Sequence, residues 1–163
     1  AINWLNSYSL YFNRLKDWYD QNISPEFVSN RHTAMNLLQQ ENELQEIVKL
    51  VGIDSLSAAD RLVMETAQML REDFLQQNAM SDTDSYCPVD KQFAMMKLIL
   101  AYNREAKKAL DNGADMKAVF AIPARDRIGR AKDVDPAKYK EVFAEIEREM
   151  TSQLEKLAGG AAL

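Results

Sequence analysis

An all-α fold, an irregular bundle of about five to six helices with a long helical hairpin, is predicted from three observations. The 163 residues include only 5 Gly and 4 Pro, so few residues interrupt a helix. Apolar residues recur at steps of three and four, the spacing of one helix face, and no segment alternates convincingly as a strand does. A chain of this length fits one domain, which we expect at 1–157, followed by a disordered tail at 158–163.

The first twenty residues predict a helix with an aromatic face. The apolar positions that form this face follow alternating steps of four and three: Trp4, Tyr8, Tyr11, Leu15 and Trp18. Such a stripe is more typical of packing than of a ligand site. Ser24 and Pro25 have the residue types that cap and begin the next helix.

Between Pro25 and Gln77 the pattern predicts a helical hairpin. Its first helix runs from about Pro25 to Val51, with one apolar face formed by Leu37, Leu44, Val48 and Val51. Gly52 is expected to end that helix in the left-handed conformation. Ser57 and Asp60 resemble a capping box at the start of the second helix. The buried side of this second helix is predicted to hold Leu62, Thr66, Met69 or Leu70, and Phe74.

Further helices are predicted after a polar loop at 81–85. One begins at Cys87 and Pro88 and stops at Asn112 and Gly113, with a buried face of Phe93, Met96, Ile99 or Leu100, Ala106 and Leu110. A shorter helical pair crosses Pro123 and Gly129. The last helix is expected to start at Asp135 and Pro136 and to bury Tyr139, Phe143, Ile146, Met150 and Leu154.

Charge and hydropathy exclude two classes of partner. The formal net charge of −5 and the pI near 5.0 argue against a nucleic-acid surface, which needs a basic footprint. The basic residues near position 130 are interpreted as a solvated helix end: Arg125, Arg127, Arg130 and Lys132. No stretch approaches the roughly 18 apolar residues of a membrane span, so direct membrane insertion is not expected.

The residues offer no catalytic or metal site. No glycine lies in a phosphate-binding loop, and His32, the only histidine, is expected to be a surface or half-buried packing residue. Cys87 lies near Asp82, Asp84 and Asp90, whose charges disfavour a reactive thiolate. The residues alone therefore indicate a helical interaction domain, and a stand-alone adaptor whose aromatic first helix docks a partner is one alternative.

Several motifs resemble the catalytic subunits of rotary ATPases. Residues 38–54 (LQQENELQEIVKLVGID) are similar to the stretch before the lever tip of these subunits. Residues 55–60 (SLSAAD) align with the acidic DELSEED loop of F-type β subunits, and 71–79 (REDFLQQNA) with a later run of those subunits. The resemblance to V/A-type A subunits is closer, at 1–9 (AINWLNSYS), 72–78 (EDFLQQN) and 84–88 (DSYCP).

This resemblance implies a C-terminal helical domain of the catalytic A subunit, below an upstream nucleotide-binding domain of the same chain. It implies a central-shaft contact at the hairpin tip: Ile53, Asp54, Ser55, Leu56, Ser57 and Asp60. It also implies an adenine-side contact at Phe74, Gln77, Asn78 and Ala79, while Trp4, Tyr8 and Tyr11 are expected to face the nucleotide domain. The implied partners are the B subunits and the central shaft, in a cytoplasmic head peripheral to the membrane. MgATP or ADP would bind the whole subunit, and this chain alone would hold no cofactor.

Overall fold

The structure, a computed structural model, describes residues 5–6, 25–75 and 89–160. These residues contain no strand, which confirms the all-α prediction for the part of the chain described. Besides the helical pair Leu5 and Asn6, we number the helices α1 (Pro25–Val51), α2 (Ala58–Met69), α3 (Val89–Asp111), α4 (Met116–Phe120), α5 (Pro123–Gly129) and α6 (Tyr139–Ala158). Short 3-10 turns lie at Ile53–Ser55 and Ala131–Asp133, and a π-helical turn, Leu70–Leu75, continues α2.

The predicted hairpin is formed by α1, the 3-10 turn and α2. Helix α1 has 27 residues and is therefore about 40 Å long at 1.5 Å per residue. Its bounds are those that the sequence predicts. Helix α2 packs along α1 and against α3, so that the hairpin is attached to the rest of the domain through α2 and the first half of α1.

Gly52 ends α1, but not in the predicted conformation. Its φ of 87° is positive, while its ψ of 159° is extended rather than left-handed helical. The Gly52 N–H still completes the helix by donating to the Val48 carbonyl at 2.9 Å. The extended ψ directs the chain away from the helix axis and into the 3-10 turn, a backbone region open almost only to glycine.

The apolar face predicted for α1 is buried only in its first half. Leu37 is buried, whereas Leu44 and Val48 are half-buried and Val51 is 63% exposed. The buried apolar residues of α1 lie between Phe27 and Leu38. The periodicity continues to Val51, but the elements that cover the first half of α1 do not cover its end.

Helix α3 is the centre of the core. It packs against α6, α2 and α1, and it also contacts α4 and α5. Tyr102 in the middle of α3 is fully buried, and its hydroxyl donates to the Val119 carbonyl of α4 at 3.1 Å. Met96, Ile99, Leu100 and Ala106 are buried as predicted. Phe93 and Leu110 are only partly buried, although both pack against the core.

The boundaries of α3 test two predicted signals. Helix α3 ends at Asp111, and Gly113 follows with a φ of 92°, as the predicted stop requires. The Ala114 N–H donates back to the Ala109 carbonyl at 2.9 Å, which satisfies one of the last carbonyls of the helix. The α-helix begins at Val89, while Cys87 and Pro88 lie outside the described residues.

The predicted helical pair is formed by α4 and α5. Pro123 is the first residue of α5, where its missing N–H costs nothing. The following N–H, of Ala124, donates to the Gln153 side chain of α6 at 3.0 Å. This bond caps α5 from a neighbouring helix.

Helix α6 confirms its predicted buried positions. Tyr139, Phe143, Ile146, Met150 and Leu154 are all buried. The helix begins at Tyr139, three residues after the predicted Pro136, because Asp135 forms a local turn instead. The Asp135 carboxylate accepts from the Ala137 N–H at 2.9 Å, which is an Asx turn.

The boundary between a domain at 1–157 and a tail at 158–163 stays a prediction, since 161–163 lie outside the described residues.

Candidate functional site

The hairpin tip is a rigid, hydrogen-bonded turn. The Ser55 hydroxyl donates to the Gly52 carbonyl at 2.7 Å, and the Leu56 N–H donates to the Ile53 carbonyl at 3.1 Å. The Ser57 hydroxyl then accepts from the Asp60 N–H at 3.1 Å, which is the half of the predicted capping box that Ser57 supplies. Each helix of the hairpin therefore has a defined end at the tip.

A cluster of exposed apolar side chains surrounds this tip. We call it the tip surface, and it consists of Ile47, Leu50, Val51 and Ile53, which are 45%, 85%, 63% and 43% exposed. Among the described residues these are four of the five large apolar side chains that are exposed, and the fifth, Val28, lies near the other end of α1. A concentration of apolar side chains at one projecting end is typical of a surface that binds another protein.

The sequence pattern indicates the tip but not most of this surface. Ile53 is a predicted contact residue, whereas Val51 is predicted only as part of an apolar face of α1, and Ile47 and Leu50 are not singled out. The available signal is the pair of neighbouring apolar residues Leu50 and Val51 directly before Gly52. Neighbouring positions lie about 100° apart around a helix, so this pair widens the apolar face at the end of α1.

Charged side chains contribute little to the stability of the tip. The Asp54 side chain is fully exposed, and its carboxylate lies 3.9 Å from the Arg61 guanidinium. An ion pair of this length with one partner in solvent contributes little to stability. Asp60 acts at the start of α2 through its backbone N–H, so the cap does not depend on its carboxylate.

The far end of α2 differs from the predicted regular helix. From Leu70 to Leu75 the helix widens into the π turn, which includes the backbone of Phe74. Single π turns inside helices are rare and occur often at functional sites. Arg71 of this turn forms an ion pair with Glu41 of α1, with Nη2 2.6 Å from Oε2, and Glu41 is buried.

A second charged cluster lies on the other side of the π turn. Arg125 of α5 donates from Nε to Glu65 of α2 at 3.1 Å, and its Nη1 lies 3.9 Å from the Asp73 carboxylate of the π turn. Asp73 is buried, and its Oδ2 accepts no hydrogen bond. Burial raises the pKa of Asp73 from 3.8 to about 6, although the charges of Arg125 and Lys132 oppose this shift.

This cluster corrects the interpretation of the basic stretch. Arg125 is no solvated helix end, because its side chain is only 18% exposed and pairs with residues of α2 and the π turn. Arg127 pairs instead with Glu145 and Glu149 of α6, at 3.1 and 2.5 Å. The partners are distant in sequence, so spacing along the chain gives no sign of them.

The remaining predicted site residues lie outside the described part of the chain. They are Gln77, Asn78 and Ala79 on the adenine side, and Trp4, Tyr8 and Tyr11 at the expected interface. For Phe74 the backbone alone is described. His32 is exposed on α1, as expected.

Metal sites and membrane spans are absent from the described ranges. Residues 25–75 and 89–160 group no three His, Cys, Asp or Glu side chains in a way that could hold a metal ion. Among the helices described, none is both long and apolar enough to cross a bilayer.

Comparison with known proteins identifies a family. Residues 16–120 match the family described as the C-terminal domain of V and A type ATP synthase. The V-type ATP synthase alpha chain 1 of Clostridium tetani is 48% identical over 159 residues, which cover 96% of this chain and 26% of the relative. The V-type ATP synthase alpha chain of Acetivibrio thermocellus is 46% identical over 157 residues, covering 96% and 27%. The V-type ATP synthase alpha chain of Thermoanaerobacter pseudethanolicus is 48% identical over 162 residues, covering 99% and 27%.

The class of protein defined by the fold and these matches is a helical domain of an ATP synthase. The chain belongs to the family of C-terminal domains of the V- and A-type ATP synthases. This confirms the resemblance seen in the motifs, and it does not favour the alternative of a stand-alone adaptor. The chain spans about a quarter of the length of the curated relatives it matches.

Proposed function

We propose that this chain is the part of a catalytic A subunit that couples closure around a nucleotide to rotation of the central shaft. The parent subunit would then hydrolyse or synthesise ATP in a V/A-type rotary ATPase that moves protons or sodium ions. The relatives named V-type ATP synthase alpha chain support this proposal. The phosphate-binding chemistry would belong to a nucleotide-binding domain of the same polypeptide.

The observation that carries the coupling role is the tip surface on the end of the hairpin. Its apolar side chains project beyond the covered part of α1, and the turn that joins the helices is fixed by hydrogen bonds. A stiff element with an apolar end can push a partner through direct contact. The predicted shaft contact at Ile53, Asp54, Ser55, Leu56, Ser57 and Asp60 thereby extends to Ile47, Leu50 and Val51.

The opposite end of α2 would serve the nucleotide. In this proposal Phe74, Gln77, Asn78 and Ala79 cover the adenine side of a pocket built mostly by the nucleotide-binding domain. One continuous helical element, Ala58 to Leu75, links this end to the tip. Movement at one end is therefore passed to the other without an intervening loop.

The assembly follows from the same proposal. The B subunits, the central shaft and the nucleotide-binding domain would be the partners, with Trp4, Tyr8 and Tyr11 facing that domain. MgATP or ADP would bind the parent subunit, in a cytoplasmic head held at the membrane by other subunits.

Ion pumping by the assembled enzyme tests the coupling role. The double change Leu50→Ser and Val51→Ser in the full-length protein should leave ATP hydrolysis in place but reduce ATP-driven ion uptake into vesicles severalfold. Val28→Ser is the matched control, because Val28 is an exposed apolar residue of the same helix away from the tip. Equal pumping by the tip variant and the control would contradict the proposal.

A further inference from the structure

The π turn is held between two neighbouring helices by ion pairs on opposite sides. Arg71 reaches Glu41 of α1, and Asp73 faces Arg125 of α5. The two contacts start two residues apart on one short turn and end on two helices that are far apart in sequence. We call these four residues the clamp: Glu41, Arg71, Asp73 and Arg125.

The α1 side of the clamp is a short, well-shielded pair. Glu41 is 5% exposed and its Oε2 lies 2.6 Å from Arg71 Nη2. A buried carboxylate with a close guanidinium partner resists displacement, because removing either group leaves a charge without compensation. The first residues of the π turn are therefore tied to α1.

The α5 side of the clamp is tied through a shared cation. Arg125 binds Glu65 on α2 at 3.1 Å and faces Asp73 on the π turn at 3.9 Å, so one guanidinium spans the transition from α-helix to π turn. Gly129 of α5 lies beside this contact, and a Cβ added there would meet Arg125 Nη1 at 3.5 Å and Asp73 Oδ2 at 3.7 Å, both ordinary contact distances.

We propose that the four clamp residues are positioning residues that hold the π turn, and with it the backbone that carries Phe74, in place for contact with the nucleotide base. This inference rests on the proposed adenine-side role of Phe74. Binding to α1 and α5 holds the turn in a defined place relative to both helices. Loss of either side would let the π turn move, which weakens base binding more than it affects chemistry at the phosphates.

The test uses the assembled ATPase with the full-length protein. Glu41→Gln and Arg125→Lys should each raise the KM for ATP by roughly three- to tenfold with kcat nearly unchanged. Arg125→Lys is the most informative change, because Lys keeps the positive charge but lacks the guanidinium group that reaches Glu65 through Nε and faces Asp73 through Nη1.

Arg127→Lys provides the matched control. Arg127 lies on the same helix and also forms ion pairs, but with Glu145 and Glu149 of α6 rather than with the π turn. This variant should leave KM unchanged. Hydrogen exchange gives a readout besides activity: the amides of Leu70–Leu75 should exchange faster in Glu41→Gln and Arg125→Lys and at the parent rate in the control.

Phe74→Ala distinguishes failure of this inference from failure of the proposed function. If Phe74→Ala raises KM while the clamp variants leave it unchanged, the clamp is overturned and the adenine contact stands. If Phe74→Ala has no effect on KM, the adenine contact fails and the clamp loses its role with it. A fall in kcat and assembly together, without a selective rise in KM, also overturns the inference.

Discussion

Burial separates the acidic residues of this domain into two groups with different physical roles. Asp54 is fully exposed at the tip, where its charge is screened and its pair with Arg61 is weak. Asp73 is buried beside Arg125, and desolvation outweighs the attraction of that cation. Its ionised form therefore lowers the stability of the fold near neutral pH, while the exposed carboxylate at the tip does not.

Asp73→Asn should increase stability at pH 7. The folded-state pKa of about 6 lies above the ordinary value of 3.8, so the folded state binds the proton more tightly. The stabilisation from this proton is present below about pH 4 and is lost as the pH rises through 6. Replacing the carboxyl should gain about 1–3 kcal/mol at pH 7 and much less at pH 4, measured by urea unfolding.

Asp126→Asn is the control for that measurement, since Asp126 is an exposed carboxylate on α5. It should change stability by no more than about 0.5 kcal/mol at either pH. If Asp73→Asn destabilises the chain at pH 7, the attraction to Arg125 dominates and our account of this carboxylate is wrong. The charge of Lys132 also lowers the pKa of Asp73, while the charges of Glu72 and Glu65 raise it. Both variants are therefore measured in the same buffer series.

Met69→Ala and Leu44→Ala should differ clearly in cost. Met69 is fully buried on α2, and its truncation should lower the free energy of unfolding by roughly 2–5 kcal/mol. Leu44 lies in the half-covered part of α1 and should lose only about 1 kcal/mol. Denaturant unfolding of the two variants checks this, and equal losses would mean that the second half of α1 is covered.

At the level of elements, α2 with its π turn is the unit that joins the two proposed sites. It starts at the Ser57 cap beside the tip and ends at the clamp around Arg71 and Asp73. Midway, the buried Thr66 hydroxyl donates to Asn103 of α3 at 2.9 Å. The element is thus fixed at both ends and in the middle, as transmission of a push requires.

Gly52→Ala should destabilise the turn that ends α1. The backbone there has a φ of 87° and a ψ of 159°, which a residue with a Cβ adopts only with strain of roughly 1–3 kcal/mol. Gly159→Ala is the control, because that glycine has a φ of −81° and its added Cβ would meet the Glu155 carbonyl at an ordinary 3.6 Å. Thermal unfolding should show a lower Tm for Gly52→Ala than for the parent chain, and an unchanged Tm for Gly159→Ala.

Helical periodicity predicts the elements better than their surroundings. The five buried positions of α6 and the bounds of α1 follow from the sequence, because both depend on local spacing and on residues such as Pro25 and Gly52. The exposure of Val51 does not follow from the sequence. The spacing of apolar residues identifies one face of α1, but it does not show where the helices packed on that face end. The π turn escapes prediction for a related reason: no residue from Leu70 to Leu75 differs from ordinary helix composition.

At the scale of the whole domain, α3 connects the hairpin with α5 and α6 in one core. The ion pairs around the π turn join residues that are 30 to 60 positions apart, such as Arg71 with Glu41 and Arg125 with Glu65. Pairing over these separations depends on how the helices pack, so the motifs could indicate the family but not this cluster.

The isolated chain should fold cooperatively but neither hydrolyse ATP nor bind MgATP tightly. Its apolar residues close a core of their own, whereas no glycine of the sequence lies in a phosphate-binding loop. Circular dichroism should show a helical spectrum with one melting transition. Calorimetric titration with MgATP should give no binding at micromolar concentration, and a micromolar affinity would contradict this division of labour.

The central claim is that the hairpin transmits force through apolar shape rather than charge, and single-molecule rotation of the assembled motor tests it most directly. Asp54→Asn combined with Asp60→Asn should preserve nearly all of the torque, because the cap at Ser57 uses the backbone N–H of Asp60. Leu50→Ser combined with Val51→Ser, or deletion of 53–57, should reduce the torque strongly, since these changes remove the tip surface or its turn. Torque abolished by neutralising the two aspartates, yet kept after the loss of the tip surface, would contradict the account.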